Sequence, residues 1–334
     1  MTKKRIVLLI ALVALAAVAA APLMAGGKTE AAGGKKSLKI GYSQCLAKNP
    51  FLIAMTNGAK KAIGEWEAKG YKIEMVVTDA GDTDLSKQVS DVEDIFAMKV
   101  DGLLIFPAAG SKLMSDPIRN IYNKNNIPVV VTDIGLSNAK WASFIITDNN
   151  LGGKMCAELV AASVPRGAKV VTFDVNPAAE NVQARVKGFE SKAKELGLTV
   201  LPEKTLPLTL EDGRRLTEDT LTAVPDLAAI FYTSQLAAQG GVAALSAMKN
   251  TTCKVVGFDI DAPSLQMIKD GKILGLAVQD PFNIGYEGMN QMMAALTGAA
   301  TKDSVNIPPL LASAKNAKEF DDNPQVKQIG RAHV

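Results

Sequence analysis

From Leu38 onward the chain alternates short apolar strands with helices that carry one apolar face. That alternation leaves few folds open. LKIGYS, YKIEMVVTD, VDGLLIFP, IPVVVTD and SFIITD read as strands in the first half, with helices expected over 50–69, 84–98, 112–124 and 150–163. The cycle restarts with AKVVTFDV, LTVLPEK, LAAIFYTS, CKVVGFD and ILGLAVQD. Helices are expected over 178–196, 210–223, 236–248, 262–269 and 281–297. Local signals agree. Pro50 sits in a first helical turn, where its missing N–H costs nothing. Gly197 stands where a C′ glycine ends a helix. Leu85, Val89, Val92, Ile95 and Phe96 share one helical face. Strands separated by helices of this length imply parallel sheets with right-handed crossovers. Two runs of about five such units imply two similar α/β lobes, which 334 residues can supply. The lack of a short-period repeat excludes a solenoid.

The N-terminus reads as an export signal. Lys3, Lys4 and Arg5 precede an apolar run from Ile6 to Ala21, Pro22 breaks it, and Ala25 is a small residue suited to cleavage. The run has 16 residues, short of the ~20 that span a bilayer. Residues 26–37 read as a flexible tether. Removing residues 1–25 takes away three bases and no acids from a formal charge of +3, which leaves a neutral mature chain. A neutral exported chain with no basic stretch argues against a nucleic-acid partner. Cys45, Cys156 and Cys253 form no CxxC, and no disulfide framework is expected. Cys156 and Cys253 read as core residues, and Cys45 as a loop residue near the ligand site that could be exposed. The closing hexapeptide IGRAHV, residues 329–334, looks like adapter-derived sequence rather than natural protein.

Catalytic machinery is thin. The one histidine is His333, and no GxSxG, Walker or GxGxxG motif follows any strand. Asp79, Asp82 and Asp84 lack EF-hand spacing and its closing Glu, and Asp84 reads as a helix N-cap. No cofactor, metal or enzymatic activity is expected. Polar residues at strand ends do form a set. Asp133 ends VVVTD and Asp259 ends VVGFD, where ligands bind in open α/β sheets. Either aspartate could instead be a turn or N-cap residue. Asn49 and Phe51 follow the first strand, Arg185 lies early in a helix, and Gln279 ends a later strand. Carboxylates to accept from adjacent hydroxyls, an arginine and amides to donate, and a ring to cover a C–H face suit a sugar or polyol.

With these residues in order, the chain resembles the periplasmic sugar-binding proteins of ABC importers, the ribose-binding-like group of type I solute-binding proteins. The resemblance covers about residues 38–314. It rests on NPF at 49–51, IPVVVTD at 127–133, TDNNLGGK at 147–154, ARVKGF at 184–189, VVGFD at 255–259 and AVQDP at 277–281. It implies two doubly wound parallel-sheet α/β lobes, joined by three crossovers, that close on a monosaccharide. The crossovers would fall near 147/148, 278/279 and 308/309. The first lobe would then be 38–147 plus 279–308, and the second 148–278 plus 309–328. It places Asn49, Phe51, Asp133, Arg185, Asp259 and Gln279 on ligand positions, and Ser234 with Gln235 at a cleft asparagine position. It implies a permease partner in the inner membrane and a periplasmic, monomeric protein. A chemoreceptor input, or sensing of a furanosyl signal, is the alternative role for the same cleft.

Four positions depart from the family pattern. Leu52 replaces a second aromatic, Ile134 an arginine, Leu208 a stacking aromatic and Ser234 an asparagine. A ligand with less ring face is therefore expected, such as an open polyol or a furanose. Compensation would have to come from residues such as Tyr42, Gln44, Lys48 or Trp141.

Overall fold

The computed structural model describes residues 36–45, 48–81, 85–107 and 112–327. The expected export signal, nearly all of the tether, Asp82, Asp84 and the closing hexapeptide lie outside the described residues. In chain order the first elements are β1 (Lys36–Gln44), α1 (Pro50–Ala68), β2 (Tyr71–Asp79), α2 (Leu85–Ala97), β3 (Gly102–Ile105) and α3 (Lys112–Pro117). A π-helical stretch, Ile118–Asn123, continues α3 and leads to β4 (Val129–Thr132) and β5 (Ser143–Thr147). Next come α4 (Asn149–Ala161), β6 (Lys169–Asp174), α5 (Glu180–Glu195), β7 (Thr199–Val200), β8 (Lys204–Thr205) and α6 (Leu210–Ala223). They are followed by β9 (Leu227–Tyr232), α7 (Gln235–Ala247), β10 (Lys254–Phe258), α8 (Ala262–Lys269), β11 (Gly275–Val278) and α9 (Pro281–Thr297). The last are β12 (Ser304–Ile307), β13 (Leu310–Ser313), a 3-10 turn (Ala317–Phe320) and α10 (Pro324–Lys327).

Two sheets result. One has the order β12-β5-β4-β3-β1-β2, the other β13-β11-β10-β9-β6-β7 with β8 also on β6. Adjacent residues of one strand enter opposite layers, as the period of two demands. Val130 packs with Ile40, Met55, Leu104 and Met289 on one face of the first sheet. Val129 and Val131 pack with Ile95, Leu103 and Ile118 on the other. In the second sheet Val171, Ile230 and Val255 go to one layer and Val170, Phe231 and Val256 to the other. Both sheets are thus covered on both faces, which is why their strands read as unbroken apolar runs. The chain passes between sheets three times, at 147–149, 278–281 and 307–310.

Two expectations need correction. LTVLPEK is not one strand. It pairs with β6 at both ends, through Val200 and through Lys204, and is interrupted around Pro202, which has no N–H to give the ladder. The sheets are also not wholly parallel. The chain crosses at Pro308 and Pro309, and β13 then runs antiparallel to β11. Neither β12 nor β13 is legible as a strand, because each is four residues long and half-exposed.

Glycines set the closest helix contacts. A Cβ at Gly153 of α4 would stand 2.1 Å from the Arg185 carbonyl oxygen, and one at Gly188 of α5 2.1 Å from that of Asn150. The α1–α9 pair repeats the device through Gly58 and Gly285. Gly64 on α1 has nothing within 4 Å of its would-be Cβ. Gly153→Ala is expected to destabilise the protein by about 1–3 kcal/mol through overpacking. Gly64→Ala should stabilise it by about 0.5–1 kcal/mol. Urea midpoints of the two variants, taken side by side, check both signs.

Candidate functional site

Asp133 and Asp259 occupy equivalent places in the two sheets, one residue beyond β4 and β10. Each still extends the ladder by one bond. The Asp133 N–H donates to the Ile145 carbonyl at 2.7 Å, and the Asp259 N–H to that of Ala277 at 2.8 Å. Each then turns left-handed, with φ of +65° and +69°. That conformation costs an L-residue roughly 1–2 kcal/mol, and aspartate and asparagine bear it best. Such strain in a non-glycine residue gathers at functional sites. Here it ends the strand abruptly and leaves both carboxylates lining one cleft of about 370 Å³.

The two carboxylates differ in what they already hold. Asp259 is loaded. Its Oδ2 meets Arg185 Nη1 at 3.2 Å and its Oδ1 accepts from Gln279 Nε2 at 2.7 Å. Arg185 is held from every side. Nε donates to Asn149 Oδ1 at 2.8 Å and Nη1 to the Thr233 carbonyl at 3.0 Å. The guanidinium carbon lies 3.9 Å from the centroid of the Phe258 ring. Upstream, buried Asp174 at the end of β6 accepts from the Asn176 N–H at 2.8 Å and Gln183 Nε2 at 2.6 Å, which fixes the entry into α5. Gln279 is fixed in turn, since its Oε1 accepts from Thr147 Oγ1 at 2.7 Å.

Asp133 has no such company. It is 8% exposed, and its carboxylate accepts no hydrogen bond from the described residues. Burial pushes its pKa up to about 6, with Arg185 pulling down and Asp259 pushing up. A desolvated acceptor without donors is what a ligand hydroxyl would satisfy.

Asn49, Pro50, Phe51, Leu52, Phe106, Gln235, Ile260, Asp261, Gln279 and Gln325 complete the lining. Asn49 caps α1, its Oδ1 accepting from the Phe51 N–H at 2.9 Å, which leaves its amide N–H groups for a ligand. Asp261 is spent. It caps α8 and takes Gln239 Nε2 at 2.9 and 2.8 Å. Of the residues expected from sequence, Asn49, Phe51, Asp133, Gln235, Asp259 and Gln279 meet at this lining. Arg185 stands behind Asp259, 5% exposed, and Ser234 caps α7 by accepting from the Leu236 N–H.

Besides Pro50 and Leu52, which flank Phe51, four lining residues escaped the sequence. Phe106 follows β3 directly, and the strand-end logic that found Asp133 could have found it. Ile260 and Asp261 follow Asp259 in the same loop. Gln325 lies beyond the last strand and had no sequence signal. Tyr42 and Gln44 are buried and Trp141 packs on Phe144, and none of them lines the cleft. Nor do Lys48, Leu208 or Ile134. Cys45, read from sequence as a loop residue that could be exposed, is buried. It is 1% exposed, because β1 continues to Gln44, which accepts from the Ala80 N–H, and burial raises the thiol pKa. Among the described residues no group of three or more His, Cys, Asp or Glu side chains could hold a metal.

The family described as a periplasmic binding protein domain matches residues 40–300. The chain belongs to this family. Among its relatives, the ribose import binding protein of Bacillus subtilis (strain 168) is 30% identical over 288 residues, covering 86% of this chain and 91% of that protein. The ribose import binding protein of Escherichia coli (strain K12) is 28% identical, covering 89% and 94%. In fold, the chain is similar to a periplasmic ribose ABC transporter protein from Conexibacter woesei, with a TM-score of 0.79 at 21% identity over 87% of this chain and 96% of that one. It is also similar to a carbohydrate transporter solute-binding protein from Agrobacterium radiobacter in complex with D-arabinose. There the TM-score is 0.66 at 26% identity, over 88% and 99% of the two chains. As a periplasmic binding protein, the chain places its cleft where the ends of both sheets converge.

Asp133 generates a stability prediction. In the folded protein it holds a proton up to about pH 6, which the unfolded chain releases near pH 4. Its cost is therefore absent below about pH 4, grows between 4 and 6, and is complete above 6. Asp133→Asn tolerates the left-handed backbone and carries no charge. It is expected to raise the stability of the ligand-free protein by about 2–3 kcal/mol at pH 7.5, at 1.36 kcal/mol per pKa unit. That gain should shrink toward zero by pH 4, as measured by urea unfolding of both proteins across the range.

Proposed function

We propose that this protein captures a small neutral sugar or polyol in its interlobe cleft and delivers it to an ABC-type permease, with no bond made or broken. The observation that carries this reading is the pair of left-handed aspartates, one from each sheet, on a single cleft. A carboxylate can accept from hydroxyls on two adjacent carbons at once. A ligand that bridges Asp133 and Asp259 therefore holds the two sheets' ends together. Each hydrogen bond to a charged group contributes roughly 1.5–3 kcal/mol. The ligand contacts both sheets only when the lobes close on it, and that differential contact drives closure.

The lining favours a ligand with little flat apolar face. Phe51 and Phe106 are its aromatic residues, while Leu52 stands at a family aromatic position and Leu208 is 53% exposed and away from the cleft. Similar solved structures hold D-arabinose and myo-inositol, and others hold D-allose and alpha-D-tagatopyranose. Pentoses, furanose forms and compact polyols are the ligand class we assign. The protein works outside the inner membrane after removal of residues 1–25, as a monomer. Its lobes are residues 38–147 plus 279–308 and 148–278 plus 309–328. The permease docks on the lobe surfaces beside the cleft mouth.

Thermal unfolding against a panel of pentoses, hexoses, deoxy sugars and polyols tests the reading. A ligand at a hundredfold excess over Kd contributes about 2.7 kcal/mol, a rise of several degrees in Tm. Asp259→Ala should abolish that rise for every member of the panel. A panel in which no neutral polyhydroxyl compound shifts Tm would overturn the assignment.

The same cleft makes affinity depend on pH. Ligand hydroxyls donate to the ionised form of Asp133, so they bind best above its pKa of about 6. Kd should be flat from pH 7 to 8 and then rise by about tenfold per pH unit as pH falls below 6, since each unit corresponds to 1.36 kcal/mol. Titration calorimetry in buffers of different ionisation enthalpy should register proton release on binding at pH 6.

A further inference from the structure

The family match ends at residue 300, yet the lining of the cleft does not. After β13 the 3-10 turn sets Ala317 and Phe320 into the core of the second sheet. Asp321 pairs with Lys269 of α8. Asn323 accepts the Gln325 N–H at 2.9 Å and so shapes the start of α10. That helix packs against α8 on one side and against α1 on the other, one element from each lobe. Gln325 lies at this junction, 9% exposed and lining the cleft.

Its side chain is half used. Nε2 donates to the backbone carbonyl of Gln279, at the second passage between the sheets, at 3.3 Å. Oε1 accepts no hydrogen bond from the described residues. The other neutral side-chain amide oxygens of the lining do have donors. The Asn49 oxygen caps α1, the Gln279 oxygen takes Thr147, and the Gln235 oxygen takes Ser234 Oγ at 3.4 Å. Gln325 thus offers the cleft an uncommitted neutral acceptor, and its remaining amide N–H can donate beside it. A hydroxyl that donates to Oε1 and accepts from a neighbouring donor fits such a group. A bare C–H at the same place would leave the buried carbonyl oxygen unpaired, which is the basis of strong discrimination against deoxy analogues.

Resting on the sugar-binding reading above, we infer that Gln325 is a specificity-determining residue that contacts one ligand hydroxyl. On this inference the C-terminal segment 317–327 forms part of the recognition site as well as a brace across the hinge. The brace alone would affect all ligands alike, because loosening the hinge changes closure whatever lies in the cleft. A contact with one hydroxyl affects only ligands that carry it.

The test compares the full-length parent with Gln325→Ala, using the tightest-binding sugar of the panel and its monodeoxy analogues in titration calorimetry. The variant is expected to bind that sugar tenfold or more weakly, while one monodeoxy analogue binds parent and variant within about twofold of each other. Unchanged affinity for the sugar, or an equal loss across every analogue, overturns the inference. Asp133→Asn serves as the control for the cleft itself, since its side chain holds no internal partner that the change could break. Loss of all binding in Asp133→Asn alongside an unaffected Gln325→Ala sinks the inference alone. Parent-like binding by Asp133→Asn removes the cleft reading, and the role of Gln325 falls with it.

Discussion

The Asp259 side of the cleft depends on one buried guanidinium. Arg185 and Asp259 belong to a closed circuit of hydrogen bonds that runs Thr147 to Gln279 to Asp259 to Arg185 to Asn149, and back through Asn149 Nδ2 to the Thr147 carbonyl at 2.9 Å. Thr147 and Asn149 flank the first passage between the sheets, and Gln279 opens the second. The circuit therefore ties the Asp259 carboxylate to two of the passages between the sheets. A buried charge cannot lose a partner cheaply, at about 3–5 kcal/mol for a broken buried pair. Partly satisfied networks are worse than none. The circuit holds the Asp259 carboxylate through both of its oxygens.

The other half of the site is built on the opposite principle. Asp133 has the same strand-end position and the same left-handed turn, but its carboxylate accepts no hydrogen bond from the described residues, and Arg185 acts on it through charge alone. Ile134 occupies the next position and brings no charge. The two aspartates thus divide the labour. One is preorganised and neutralised, and the other is desolvated and waiting for donors.

Much of this could be read from the chain, and the reason is periodicity. Val129 and Val131 face one layer and Val130 the other, so an apolar run without breaks already specifies a strand covered on both sides. Aspartates at the ends of two such runs then point to a cleft, since strand ends are where an open sheet meets its ligand. What stayed hidden had no local signature. The strands β12 and β13 are short and edge-placed, and tertiary pairing alone makes them strands. Arg185 was expected at the site but does not line the cleft, and its seat behind Asp259 goes with the Gly153 and Gly188 contact between α4 and α5, a feature of packing rather than of motif. Ser234 fell at a ligand position, but its hydroxyl caps α7, a role its residue type also suits.

The shortage of rings carries a consequence for how such a cleft discriminates. A stacked aromatic recognises the C–H face of a pyranose and contributes affinity with little regard for which hydroxyls are axial. Where Leu52 stands in place of a ring and Leu208 faces outward, that general contribution shrinks. On the proposed reading, recognition falls to directional groups, some with fixed partners, namely the Asp259 circuit and the Asn49 amide held by its capping bond, and some without, namely Asp133 and the side-chain oxygen of Gln325. Directional groups lose more to a misplaced hydroxyl than a flat ring does, because each buried donor or acceptor left unmatched costs about 1–3 kcal/mol. A cleft of this composition trades breadth for stereochemical selectivity.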